Sequence, residues 1–114
     1  MALPEHTRVV VERRLSSYCE DRIPLRVRNQ VRLGVRFRGH RVTLFEERPG
    51  FRDPDRWTES VIAQFRMDKE TFEWGLYWAD RNSKWLLHEA FAPTRDFDAA
   101  LREVDSNPYG IFWG

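Results

Sequence analysis

Val31-Arg32-Leu33-Gly34-Val35-Arg36-Phe37-Arg38-Gly39-His40-Arg41-Val42-Thr43-Leu44-Phe45 is the stretch on which the fold turns. From Val31 to Arg38 apolar and basic residues largely alternate, the period of a half-buried β-strand. Arg38-Gly39-His40-Arg41 then reads as a tight hairpin, with glycine at the first loop position as a type II′ turn prefers. A two-residue turn at this point fixes a register in which paired residue numbers sum to 79. Phe37 is expected to meet Val42, and Val35 to meet Leu44, on the buried face. On the other face Arg38 should meet Arg41, Arg36 Thr43, Gly34 Phe45, and Arg32 Glu47.

The charge pattern marks the same region. Between Asp21 and Glu46 the chain has no acidic residue but seven arginines: Arg22, Arg26, Arg28, Arg32, Arg36, Arg38 and Arg41. The net charge of +1 hides this asymmetry. Residues 1–48 hold eleven arginines against six acids (+5), and residues 49–114 hold eight basic residues against twelve acids (−4). Such a split points either to an anionic partner for the first half or to pairing between the halves.

With 114 residues, 41% of them hydrophobic and sixteen aromatic, the chain is expected to form one domain, residues 1–114, with a core of its own. A single cysteine, Cys19, excludes an internal disulfide and suits a reducing compartment. No apolar run approaches the roughly 18 residues of a membrane span, and no secretory leader is legible. A cytoplasmic protein without membrane partners is the expectation.

Outward from the hairpin, the spacing of Val11, Leu15 and Tyr18 predicts a helix from about Pro4 to Arg22, ended by Pro24. The first strand is expected over Arg28–Arg38 and the second over Arg41–Arg48. Pro49 to Arg56 reads as a loop. A third strand over Glu59–Met67, a fourth over Phe72–Ala79 and a fifth over Lys84–Phe91 follow, joined by turns at Asp68–Thr71 and Asp80–Ser83. Two four-residue turns would put Phe65, Trp74, Leu76, Trp78, Trp85, Leu87 and Phe91 on the core face. Gln64, Arg66, Glu73, Tyr77, Leu86 and His88 would lie opposite. Asp96 suits the N-cap of a last helix, Phe97–Asp105, with a stripe of Phe97, Ala100, Leu101 and Val104. The apolar tail Asn107–Gly114 is expected to pack back on the core with Trp113 as anchor. The fold class is therefore α+β: an N-terminal helix, a five-stranded antiparallel meander, a C-terminal helix and a packed aromatic tail.

With these segments in place, the chain resembles a family of small, mostly bacterial proteins known as domain of unknown function 3024. The resemblance rests on Cys19-Glu20-Asp21-Arg22-Ile23-Pro24, Val42-Thr43-Leu44-Phe45-Glu46-Glu47-Arg48-Pro49 and Ala63-Gln64-Phe65-Arg66. Its most specific parts are Leu76-Tyr77-Trp78-Ala79-Asp80-Arg81-Asn82-Ser83-Lys84-Trp85 and Asn107-Pro108-Tyr109-Gly110-Ile111-Phe112-Trp113-Gly114. It implies a free-standing bacterial cytosolic domain. It brings no activity, cofactor or site residue with it.

The candidate polyanion-binding residues are Arg28, Arg32, Arg36, Arg38 and Arg41, with Phe45 as a stacking platform among them. The plainer reading is a solvated sheet face holding ion pairs such as Arg32–Glu47, with Phe45 covering Gly34. No catalytic, cofactor or metal set is legible. His6, His40 and His88 are scattered, and His88 lacks a recognisable nucleophile or substrate pocket. Cys19 reads as a structural thiol. A non-enzymatic module contacting nucleic acid or another polyanion is the first expectation. An interaction domain or homo-oligomer, its arginines meeting an acidic protein, is the second. A small ribonuclease-like enzyme is the third, by fold analogy alone.

Overall fold

Proline sets both ends of the first helix. In the computed structural model, which describes residues 2–113, helix α1 runs over Glu5–Arg22 directly after Pro4. It stops at Ile23, whose extended backbone is what a following proline demands. One turn of 3₁₀ helix, Leu25–Val27, leads to the sheet. The strands are β1 (Arg32–Arg38), β2 (Arg41–Pro49), β3 (Trp57–Met67), β4 (Trp74–Ala79) and β5 (Trp85–Leu87), and helix α2 closes the fold at Phe97–Ser106. The strands lie in the order β1-β2-β3-β4-β5, all antiparallel, so the architecture is the expected α+β meander.

The β1–β2 register is the one the turn dictates, from Arg32 opposite Glu47 to Arg38 opposite Arg41. Gly39 has φ 60° while His40 stays at negative φ, as a type II′ turn requires. Both helices pack on the same face of the sheet. Val11 and Leu15 of α1, and Phe97, Ala100 and Val104 of α2, join Val42, Leu44, Phe65, Trp74 and Leu76 in one buried core. Asp96 caps α2, its side chain accepting from the Asp98 amide at 3.0 Å.

Three expectations need correction. The first strand begins at Arg32, because Arg28 is occupied elsewhere: its Nε donates to the Ile23 carbonyl at 3.1 Å and its Nη2 to that of Glu20 at 3.3 Å. It thereby caps the open carbonyls of α1. The turn after β3 is longer than four residues. Asp68 gathers the amides of Glu70 and Thr71, and Phe72 enters the left-handed region at φ 61°, so that Met67 pairs with Trp74. That adds two residues and leaves the faces unchanged.

The turn after β4 adds one residue. Asp80 accepts from Asn82 and Lys84, Ser83 takes φ 63°, and Ala79 pairs with Trp85. A slip of one exchanges the faces. Trp85 and Leu87 therefore point away from the core, and Leu86 and His88 toward it. The strand itself ends at Leu87, short of Phe91.

The tail closes the end of the core between the helices. Phe112 is buried, its amide donating to the Asn107 side chain at 2.9 Å. Trp113 donates from Nε1 to the Val104 carbonyl at 3.1 Å, and the Arg22 guanidinium lies 4.0 Å from its ring centroid.

Candidate functional site

The face of the sheet opposite the helices carries the candidate site. Cross-strand pairing defines its rows, since partners share a face. The first row is Arg38, Arg41 and Arg66, one guanidinium from each of three adjacent strands. The next is Arg36, Thr43, Gln64 and Tyr77. Then come Gly34 with Phe45, and Arg32 with Glu47 and Glu59.

A β-bulge explains how acids reach the far end of this face. Leu44 pairs with Ala63 but Phe45 pairs with Val61, leaving Ile62 as the extra residue. Ile62 joins Ala63 in the core, and the alternation beyond it reverses. Val61, Glu59 and Trp57 are thereby turned toward the arginines. Glu59 holds Arg36 through a two-pronged pair, Nη1–Oε1 at 3.0 Å and Nη2–Oε2 at 2.8 Å. Trp57 lies beneath Arg32, whose guanidinium carbon is 3.6 Å from the ring centroid. Phe45 lies beneath Arg36 at 4.8 Å, and its ring also covers Gly34. The expected Arg32–Glu47 ion pair is absent among the described residues.

The near end is different in kind. Among the described residues, Arg38, Arg41 and Arg66 form no salt bridge with any acid. Arg38 and Arg41 are exposed. Arg66 lies with its guanidinium carbon 3.8 Å from the Tyr77 ring centroid, and its Nε donates to Gln64 Oε1 at 2.6 Å. Gln64 in turn donates to Thr43 Oγ1 at 2.9 Å. Burial, and then Arg41 beside it, hold the Arg66 guanidinium below its usual range. His40 in the turn is likewise held below the ordinary imidazole range, by desolvation and then by Arg41 and Arg66. A guanidinium keeps its proton under such a shift, so the row concentrates positive charge.

Of the sequence candidates, the structure brings Arg32, Arg36, Arg38, Arg41 and Phe45 onto one face and removes Arg28. It splits them into an engaged end, with Arg36 paired to Glu59 and Arg32 stacked on Trp57, and an end without such partners, Arg38 and Arg41. It adds Arg66 and Tyr77 to the latter. These two could be placed off the core from the alternation of β3 and β4, but nothing local joins them to the hairpin. His88 is not on this face. It is 4% exposed, its Nε2 lies 2.7 Å from Glu103 Oε2, and Phe91, Tyr109 and Phe112 surround its ring. Enclosed in this way, it presents no edge to a substrate. Among the described residues no three His, Cys, Asp or Glu side chains gather as a metal-binding group, and no helix is long and apolar enough to cross a membrane.

Fold and site together define a small α+β domain: two helices on one side of an antiparallel meander, and an arginine-rich face on the other. The chain belongs to the family described as domain of unknown function (DUF3024), which it matches over residues 3–114. No curated protein and no solved structure matches it.

Proposed function

We propose that the open face of the sheet binds single-stranded nucleic acid in the bacterial cytosol, without catalysing a reaction on it. The observation that carries this reading is the row Arg38–Arg41–Arg66, three adjacent cations without an acid partner among the described residues, on a face that neither helix covers. Like charges directly opposite each other oppose sheet formation, and an anion laid across them removes that cost. Phosphates supply such anions at regular spacing. Tyr77 beside the row, with Arg66 against one side of its ring, offers the other side to an unstacked base, while Phe45 is held between Gly34 and Arg36. An uncovered sheet face with an aromatic ring suits splayed single strands better than a duplex, whose grooves call for an inserted element. Arg32 and Arg36, already engaged by Trp57 and Glu59, serve as scaffold.

Fluorescence anisotropy with a labelled random-sequence single-stranded RNA, titrated at several salt concentrations, tests this. Three phosphate contacts predict a slope of log affinity against log salt of about −2. Replacing Arg38, Arg41 and Arg66 together by alanine should abolish both binding and slope. Equal affinity for the triple variant, or no binding at low salt, overturns the reading.

A further inference from the structure

The sheet has one long free edge, and a groove runs beside it. Strand β1 is the outermost strand. In a two-residue hairpin Arg38 and Arg41 form the hydrogen-bonded pair next to the turn, so bonded and non-bonded pairs alternate from there. Leu33, Val35 and Phe37 therefore point their N–H and C=O groups outward. Among the described residues, no hydrogen bond outside the strand ladders uses the main chain of these three residues. Their side chains form the floor of a cavity of about 490 Å³ between β1 and α1, with Arg8, Glu12, Ser16, Cys19 and Glu20 on its wall. The Arg8 guanidinium lies 4.7 Å from the Phe37 ring centroid and closes one end.

An unpaired strand edge beside a groove with an apolar floor and polar walls is a geometry by which an extended peptide adds to a sheet. The occupant's chemistry follows from pairing. Every second side chain of an added strand would enter the groove beside Leu33, Val35 and Phe37. The alternate ones would stand on the opposite face, where Arg38 is exposed and has no acid partner among the described residues. A second copy of β1 fits poorly: centred on Val35, the pairing sets Arg32 of each copy against Arg38 of the other. We infer that the β1 edge binds an extended segment of a partner protein in which apolar residues alternate with acidic ones. This site is distinct from the Arg38–Arg41–Arg66 row, although Arg38 borders both.

The probe is a fluorescein-labelled peptide of about seven residues alternating valine and glutamate, the number a seven-residue strand can pair. Nuclear magnetic resonance of the ¹⁵N-labelled protein gives the location. Saturable binding is expected, with the amides of Leu33, Val35 and Phe37 shifted and protected from exchange. Proline is tolerated where an edge N–H faces outward, so Val35→Pro should keep the fold while weakening binding about tenfold. Should that variant not fold, Leu33→Glu, which sets a carboxylate where the peptide's valines enter the groove, serves instead. A peptide alternating valine and lysine should not bind. The inference is overturned if the peptide does not bind, or if only the Arg41 and Arg66 signals move, since the peptide is then a mere polyanion. Protection of the β1 amides by self-association in the absence of peptide, seen by light scattering, overturns it in favour of a second copy. RNA binding is tested by substituting Arg38, Arg41 and Arg66, whereas peptide binding is read at the Leu33, Val35 and Phe37 amides, so failure of the first leaves the second readable.

Discussion

Phe45 rests on the bare backbone of Gly34, its cross-strand partner. A Cβ built on Gly34 would lie 2.4 Å from Phe45 Cζ. The ring fills the space a side chain would occupy and is itself capped by Arg36. Gly34→Ala must displace it, and with it the Arg36–Glu59 pair. Overpacking of this kind costs about 1–3 kcal/mol. Urea denaturation should show a midpoint lowered accordingly, with an unchanged m value. A neutral substitution would mean that the ring moves freely and is no fixed part of the face.

Arg41 has an arginine on either side, so its removal should help the fold rather than harm it. Arg41→Ala is expected to raise stability by about 0.5 kcal/mol at low salt, and the gain should vanish at high salt as the repulsion is screened. The same variant should lose RNA affinity. Opposite signs for stability and binding are what a functional arrangement predicts; a loss of both would make Arg41 a structural residue.

How much of this was legible depends on loop chemistry. Gly39-His40 left one register available, so every β1–β2 pair could be named in advance. Pro4, Pro24 and Asp96 did the same for helix ends. The turn at Asp68–Glu73 exceeded its expected length by an even number and did no damage to the faces. Ser83 in the left-handed region added a single residue and reversed β5, and a serine carries no sequence signal for positive φ. The bulge at Ile62 is equally silent, yet it decides that Glu59 and Trp57 reach the arginine face. Arg66 escaped the candidate site because a long connection at residues 50–56 leaves the β2–β3 register open. Alternation extended too far back at Arg28, whose side chain was needed to finish α1.

The tail acts as the last piece of the core. Phe112 is 7% exposed, and Trp113 spans from the Val104 carbonyl to Arg22. Truncating a buried phenylalanine costs about 3–5 kcal/mol, a large part of the roughly 5–15 kcal/mol that holds a domain together. Deleting residues 109–114 should therefore unfold the protein or make it insoluble, and Phe112→Ala alone should lower the thermal midpoint by several degrees. An unchanged midpoint in the deletion would show that the tail merely lies on the surface.

The His88–Glu103 contact fastens the end of β5 to α2. His88→Leu leaves the partly buried Glu103 carboxylate without its partner, at a cost of about 1–3 kcal/mol. Replacing both, with His88→Leu and Glu103→Leu, should recover part of that loss, and a double-mutant cycle measures the coupling. RNA binding should be unaffected in all of them. Loss of RNA affinity in a folded His88 variant would return this histidine to the functional site.

Alkaline pH should loosen the packing of α1. Burial, and then Glu20, push the Cys19 thiol from 9.0 up to about 11. Burial and the hydrogen bond it donates to Asp105 raise the Tyr18 phenol as well. Both groups are held neutral in the native state and ionise earlier when unfolded. The unfolded chain therefore binds fewer protons above pH 9, and stability falls as pH rises. For Cys19 the contribution is intact below about 9 and is lost through about 11. The denaturation midpoint should hold between pH 7 and 8.5 and decline beyond, less steeply in Tyr18→Phe. The thiol should correspondingly react slowly with a disulfide reagent at pH 8, where about one molecule in a thousand carries the thiolate. Rapid labelling at that pH would show that burial does not hold the Cys19 thiol neutral.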